Sequence, residues 1–136
     1  MKRIIVAGAL TLLASCQWVP GTTAHKVDAA KAIVREELVD GASAQFEDVV
    51  VSGADAGPDM VCGWVNSKNR MGGYTGSVKF LVSDGQVRQL GTVRDEAYSG
   101  KFGACVAGHK AATDRMRRDG DRALDAYEAA VSDLNS

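Results

Sequence analysis

Aromatic residues and histidines are scarce in this chain of 136 residues. Only 6% of the residues are Phe, Trp or Tyr, while 15 are glycine, so we expect a small hydrophobic core. The two histidines, His25 and His109, stand far apart, and no group of residues has the spacing of zinc ligands. The sequence therefore predicts no metal site, and no motif in it indicates a cofactor.

Neither sign of charge dominates. The chain has 16 Lys and Arg against 17 Asp and Glu, for a formal net charge of −1. Lys79, Arg88, Arg94 and Lys101 are too widely separated to predict a basic patch. Nucleic acid is therefore not expected as a partner.

The apolar run near the N-terminus, at 4–13, is too short to span a membrane. It covers about ten residues, whereas a spanning helix needs roughly twenty. Lys2 and Arg3 precede the run and small residues follow it, which is the layout of a secretory signal peptide.

The segment "LASC", which ends at Cys16, resembles the bacterial lipobox. The resemblance implies that residues 1–15 are a signal peptide, that cleavage leaves Cys16 first, and that its thiol and amine carry acyl chains such as palmitate. Two or more chains give stable membrane anchoring. Gln17 replaces the Asp that usually signals retention in the inner membrane, so we expect an outer-membrane anchor facing the periplasm. A secreted protein without lipid would leave the position of Cys16 unexplained.

With Cys16 assigned to lipid, Cys62 and Cys105 remain as an even pair in an oxidising compartment. This predicts a structural disulfide. Closing a loop of roughly 43 residues should stabilise the fold by about 4 kcal/mol. That is a large share of the roughly 5–10 kcal/mol expected for a domain this small.

Hydrophobic periodicity divides the mature chain into a tether at 16–25 and one α+β domain at 26–136. An apolar stripe predicts a first helix over about 26–39, and Gly41 is placed to end it in a left-handed conformation. Alternating and β-branched residues predict about four antiparallel strands in a meander. These strands are expected near 46–51, at Met60–Asn66, at 74–83 and from 86 to about 94.

Asp84-Gly85 predicts a two-residue type I′ turn that pairs Ser83 with Gln86. We expect the resulting sheet to have one face for the helices to cover.

The C-terminal part predicts a loop, then a short strand that brings Cys105 back to the sheet, and then helix from about 111. Gly120 is expected to divide this helix in two, with Asp121 capping the second part. Five apolar residues fall near one face of it: Met116, Leu124, Tyr127, Val131 and Leu134. Whether this face packs on its own sheet or on a neighbour is open. The segment 115–118, "RMRR", is either a partner-binding surface or a solvated face.

The stretch "VCGWVNSKNRMGGYTGSVKF" at 61–80, with "ELVDGASAQFEDV" before it, resembles a motif of small exported bacterial proteins and lipoproteins, CGxVNxKNxxGGYxG. Gly41 replaces the proline of that pattern, and Met71 replaces a residue that is often aromatic. The resemblance implies a shared fold and carries no reaction.

Four polar residues in this stretch could converge on a glycan or a peptide: Asn66, Lys68, Asn69 and Tyr74. The alternative is a tight hairpin, because Asn and Gly are the residues that turns require. Lys68 is not required by a turn, which keeps the binding interpretation open.

No catalytic set is predicted. Cys105 and His109 could form a thiol catalyst, but Cys105 has a disulfide partner. Asp95 and Glu96 would point to opposite sides of a strand, and "GGYTGS" lacks the lysine of a phosphate loop.

The leading hypothesis is a lipid-anchored binding module in the cell envelope, with a protein or glycan partner. An inhibitor or exclusion factor is a narrower form of it. The alternative is an enzyme that acts on cell-wall material with Lys68, Tyr74 and an acidic residue.

Overall fold

The computed structural model describes residues 21–53 and 59–134, in which two helices flank an antiparallel sheet. The elements are α1 (Thr23–Glu37), β1 (Gln45–Val51), β2 (Met60–Asn66), β3 (Val78–Ser83), β4 (Gln86–Leu90), β5 (Thr92–Val93) and α2 (Lys101–Leu134). The strands lie side by side in chain order, and each pairs antiparallel with the next. The predicted α+β meander is confirmed, with β5 as a two-residue addition. The expected signal peptide, the lipidation site and the turn at 54–58 lie outside the described residues.

Helix α1 begins three residues earlier than predicted because Thr22 caps it. The Thr22 hydroxyl accepts a hydrogen bond from the His25 amide at 3.3 Å, which satisfies one of the free donors of the first turn. After the helix, Gly41–Ser43 forms a 3₁₀ turn capped by Asp40. The predicted left-handed conformation of Gly41 is wrong, because Gly41 does not have a positive φ. A glycine is needed there for another reason: the Arg35 carbonyl occupies the space that a β-carbon would need.

The sheet is covered on both faces, so the prediction of one covered face is wrong. On one side Val61, Val65 and Phe80 pack with Ala30 and Val34 of α1. On the other side the buried cluster consists of Met60, Cys62, Leu81 and Cys105. The near-continuous burial of β2 follows from this arrangement, since a strand between two layers has no polar side.

Helix α2 is one continuous helix of 34 residues. Cys105 lies in its second turn, so the predicted short strand is wrong. Its contacts with the rest of the domain include Phe102, Cys105 and Ala112, at intervals of three and seven residues, which lie on one face of the helix. The helix also continues through Gly120, so the predicted division in two is wrong as well. Neither described helix combines the length and the apolar character needed to cross a bilayer.

The Cys62–Cys105 disulfide is confirmed and joins β2 to α2, with 6.4 Å between the two α-carbons. Both cysteines are fully buried. The disulfide therefore holds the first half of α2 against the sheet.

The predicted turn at Asp84-Gly85 is also confirmed. Both residues have positive φ, 53° and 68°, as a type I′ turn requires, and Ser83 pairs with Gln86. The preceding strand β3 begins at Val78 and not near 74, because the chain between β2 and β3 turns back on itself first.

Gly63, in the middle of β2, lies against an irregularity in β1. The register shifts between Glu47 and Val50, and Asp48 has a φ of 49°. A β-carbon on Gly63 would stand 3.0 Å from the Val49 α-carbon and 3.1 Å from the Glu47 carbonyl oxygen. Because both of these neighbours are backbone atoms, there is no room for a side chain at Gly63.

Gly63→Ala is expected to lower the free energy of unfolding by about 1–3 kcal/mol, since overpacking a core costs about that much. Gly103→Ala is the matched control: a β-carbon there meets nothing within 4 Å. It should stabilise α2 by up to about 1 kcal/mol. Chemical denaturation of both variants measures the difference. Equal effects would contradict the close approach at Gly63.

Candidate functional site

The chain between β2 and β3, residues 67–77, folds into a small hairpin of its own. Lys68 and Tyr74 form an isolated antiparallel bridge. Beyond them the Asn69 amide donates to the Gly73 carbonyl at 2.8 Å, and the Gly72 amide donates to the Asn69 carbonyl at 3.0 Å. We call residues 69–73 the hairpin tip.

The two predicted asparagines hold the backbone of this hairpin. The Asn69 side-chain oxygen accepts from the Met71 amide at 2.9 Å and from the Gly73 amide at 3.1 Å. The Asn66 side-chain oxygen accepts from the Gly76 amide at 3.1 Å, where Gly76 has a φ of 97°. The turn interpretation of both residues therefore fits their geometry.

The base of the hairpin is bonded to the segment that follows α1. The Lys68 amide donates to the Ser43 hydroxyl at 2.9 Å, and that hydroxyl donates to the Asp40 carbonyl at 2.8 Å. The Tyr74 hydroxyl accepts from the Gln45 side chain at 3.1 Å and donates to the Ser43 carbonyl at 3.4 Å. These contacts fix the hairpin relative to β1.

Lys68 and Tyr74 also contact each other. The Lys68 ammonium lies 5.6 Å from the centre of the Tyr74 ring, within the range of a cation–π interaction. The structure thus brings the four predicted residues into one hairpin. Their polar groups do not converge on one shared point. The asparagine oxygens bond to the hairpin backbone, the Tyr74 hydroxyl bonds to Gln45 and Ser43, and the Lys68 ammonium lies against the Tyr74 ring.

The most prominent side chains of the hairpin tip are Arg70 and Met71, which the sequence analysis did not select. Arg70 is exposed, and Met71 is 93% exposed. Lys68 and Arg70 stand in a stretch, from Met60 to Ser83, that contains no acidic residue. The sequence feature that could have indicated this surface was Met71 itself, an apolar residue inside a turn that needs only Asn and Gly.

A second candidate is a groove of about 400 Å³ between the start of α1 and the β3–β4 turn. Its floor is apolar, with Ala30 and Val61, and an ion pair between Lys26 and Asp59 lies at its edge. Sequence reasoning missed it because its lining comes from α1, β2 and the β3–β4 turn, which meet only in the tertiary structure.

The residues that the sequence analysis weighed and set aside as catalysts have structural contacts. Cys105 is in the expected disulfide, which leaves it no free thiol. His109 Nδ1 lies 3.2 Å from the Val51 carbonyl oxygen, and Asp95 caps a 3₁₀ turn through the Ala97 amide. Within residues 21–53 and 59–134, no three His, Cys, Asp or Glu side chains cluster closely enough to hold a metal ion.

Comparisons with known proteins return no match to a family model, a curated protein or a solved structure. The assignment of a site therefore depends on the geometry of the hairpin.

Asn69→Ala is expected to lower the free energy of unfolding by about 1–3 kcal/mol, because two backbone amides lose their acceptor. Arg70→Ala and Met71→Ala, at the two adjacent exposed positions, should change the free energy of unfolding by no more than about 0.5 kcal/mol. Denaturant titration of the three purified variants measures this. A large loss at Arg70 or Met71 would mean that the fold needs these side chains, and the tip would not be a separate binding surface.

Proposed function

We propose that this chain is a lipid-anchored lipoprotein of the bacterial envelope that binds a protein partner through the hairpin tip. The observation that carries the proposal is the tip itself. Arg70 and Met71 are exposed on a loop whose backbone is held by Asn69, while Ser43 holds its base.

A loop held in this way suits binding because its conformation is set before a partner arrives. Ordering a flexible loop at an interface costs free energy, and a preorganised loop avoids much of that cost. Three backbone hydrogen bonds to the side chains of Asn69 and Ser43 therefore favour affinity as well as stability.

The chemistry of the tip indicates the chemistry of the partner. Met side chains adapt their shape to irregular apolar pockets, and Met and Arg are enriched in protein interfaces. Lys68 and Arg70 add positive charge with no acidic residue nearby in the hairpin. The fitting partner is a protein with an acidic surface around a small apolar pocket.

A glycan fits this surface less well than a protein does. Sugar rings bind best on an open aromatic face, and the Lys68 ammonium lies against the ring of Tyr74. The Tyr74 hydroxyl is bonded to Gln45 and Ser43. The oxygen atoms of both asparagines accept backbone amides. The groups that would recognise a sugar are thus engaged in the hairpin.

The same contacts favour binding over cell-wall catalysis. General acid–base chemistry needs a titratable group free to exchange a proton with the substrate. Lys68 is placed on an aromatic ring, Tyr74 is bonded to β1, and Asp40 caps the 3₁₀ turn. An acidic third member is not supplied by the hairpin sequence.

The expected anchor precedes α1 in the chain, whereas the segment that bonds the hairpin follows it. The start of α1 lines the groove beside the β3–β4 turn, whereas the segment after its end bonds the hairpin. Fifteen residues of helix separate the two ends by about 22 Å. Only six residues connect Cys16 to Thr23, a reach of about 25 Å. The tip would therefore face away from the lipid anchor, while the short tether would keep the whole domain, and so its partner, close to the membrane.

A photo-reactive amino acid at position 71 is expected to capture a specific envelope protein in intact cells that make the full-length chain. The control places the same amino acid at Val106, another exposed apolar position, on α2. Immunoblots after irradiation should show an adduct at 71 that is absent at 106, and Arg70→Glu should reduce it at least tenfold.

Two results would contradict this hypothesis. One is the same set of adducts at both positions, and the other is an adduct at 71 that Arg70→Glu leaves unchanged. Capture of glycan strands in place of protein would reject the choice of partner.

The lipid anchor has a test of its own. Cells supplied with a labelled palmitate analogue should incorporate the label into the full-length chain, because the Cys16 thiol is the expected site of acylation. Cys16→Ser should abolish incorporation, whereas Cys62→Ser should retain it. Equal labelling of the Cys16→Ser variant would show that the anchor is elsewhere or absent.

A further inference from the structure

Only the first half of α2 packs on the sheet. Near its start, the Phe102 ring lies 6.0 Å from the Trp64 ring, measured between ring centres. Cys105 then forms the disulfide, and Ala112 lies beside Gly53. Residues 101–115 cover about 22 Å of helix, which is also the length of a seven-residue strand. From Met116 to Ala130 every residue of the helix is exposed.

The second half of α2 carries an apolar stripe on its exposed surface. Met116 is 68% exposed, Leu124 57% and Tyr127 67%. The stripe continues the spacing of the residues that pack on the sheet, with intervals of three and four. It consists of Met116, Gly120, Ala123, Leu124, Tyr127 and Val131.

This half of the helix lacks the features that stabilise an isolated helix. Helical segments of this length are marginal in water without tertiary packing. Gly120 lowers the helix propensity further. The last turn has no basic residue to favour the helix dipole, and the residues after Arg122 carry only acidic charge. A partner helix that covers the stripe would stabilise it.

The order of these charges matches a second copy of the same helix placed antiparallel. Residues 115–122 contain four arginines and two aspartates, whereas the charged residues of 123–134 are all acidic. In an antiparallel pair the net basic part of one copy faces the acidic part of the other, whereas a parallel arrangement puts parts of like net charge together. Arg117 and Glu128 lie on the same flank of the stripe, since eleven residues are about three turns, and Asp121 lies on that flank too, farther from the stripe. In an antiparallel pair such flanks face each other.

The stripe is complementary to itself in the same arrangement. A twofold axis between Ala123 and Leu124 puts Met116 of one copy opposite Val131 of the other. It also puts Gly120 opposite Tyr127, a large ring against a residue without a side chain. In the described part of the chain, a β-carbon on Gly120 would meet nothing within 4 Å, so that space is open to the ring.

We propose that the second half of α2 is the interface of a homodimer, in which two copies pair antiparallel about an axis near Ala123. The interface is isologous, as a twofold dimer requires, because each copy contributes the same stripe and the same flank with Arg117 and Glu128.

Engineered cysteines in the full-length chain test the axis. Ala123→Cys lies near it and should form a disulfide-linked dimer in the envelope. Asp125→Cys, equally exposed but on the opposite face of the helix, is the matched control. Non-reducing gels should show at least tenfold more dimer for position 123. Equal dimer at both positions, or none at 123, overturns the proposal.

Two further cysteines test the direction. Met116→Cys and Val131→Cys should crosslink when the two variants are produced together, while each produced alone should not. The two positions are about 22 Å apart along one helix, so neither can meet its own copy in the antiparallel pair. Self-crosslinking of Met116→Cys would indicate a parallel pair and would overturn the proposal.

A charge exchange tests the flank. Arg117→Glu and Glu128→Arg should each weaken self-association of the purified chain about tenfold, as measured by analytical ultracentrifugation. A mixture of the two variants should associate as well as the wild type does, because residues 117 and 128 that face each other are again of opposite sign. If the single variants self-associate as well as the wild type, charge complementarity does not select the partner and the proposal fails.

Discussion

The rest of the structure depends on the disulfide between Cys62 and Cys105. It joins the second strand of the sheet to a helix that the chain reaches only after three more strands. The cluster around it is small, with Met60 and Leu81 as its other fully buried members. Few aromatic residues are available to enlarge the cluster. A covalent link that removes about 4 kcal/mol of chain entropy from the unfolded state then makes the difference between a docked helix and a marginal one.

Strand β2 connects this cluster with the one under α1, because its side chains alternate between the two faces. Val61 and Val65 pack toward α1, and Met60 and Cys62 pack toward α2. The strand then runs directly into the hairpin that carries the tip. The candidate site is thus an extension of the most buried strand of the domain, which explains how a short loop can be held firmly while its side chains stay exposed.

Much of the fold could be predicted from local patterns. Local signals predicted the Asp84-Gly85 turn and the bounds of β2 correctly, and the count of the two remaining cysteines predicted their pairing. The errors concern elements whose structure depends on contacts with distant parts of the chain. A helix rich in glycine around Cys105 has weak local propensity, and it forms because the disulfide and the sheet support it. The sequence of a single strand also does not reveal that a second helix covers the other face of the sheet.

The candidate site shows the same division. That Asn69 belongs to a turn follows from its residue type, and its contacts agree. Which side chains the turn presents depends on how the hairpin lies against Ser43 and Gln45, and this is a matter of tertiary structure. The sequence analysis therefore selected the polar residues that hold the hairpin and missed Arg70 and Met71, which it exposes.

Amide hydrogen exchange measured before and after reduction of the disulfide tests the central claim, that α2 up to Thr113 and the strands form one core. With the disulfide intact, the amides from Cys105 to Thr113 should exchange as slowly as those of β2 and β3. Reduction should then accelerate all of them by a similar factor, because the whole core opens together. If the amides of α2 exchange much faster from the start, or if reduction accelerates them alone, the helix is a peripheral addition and the account is wrong.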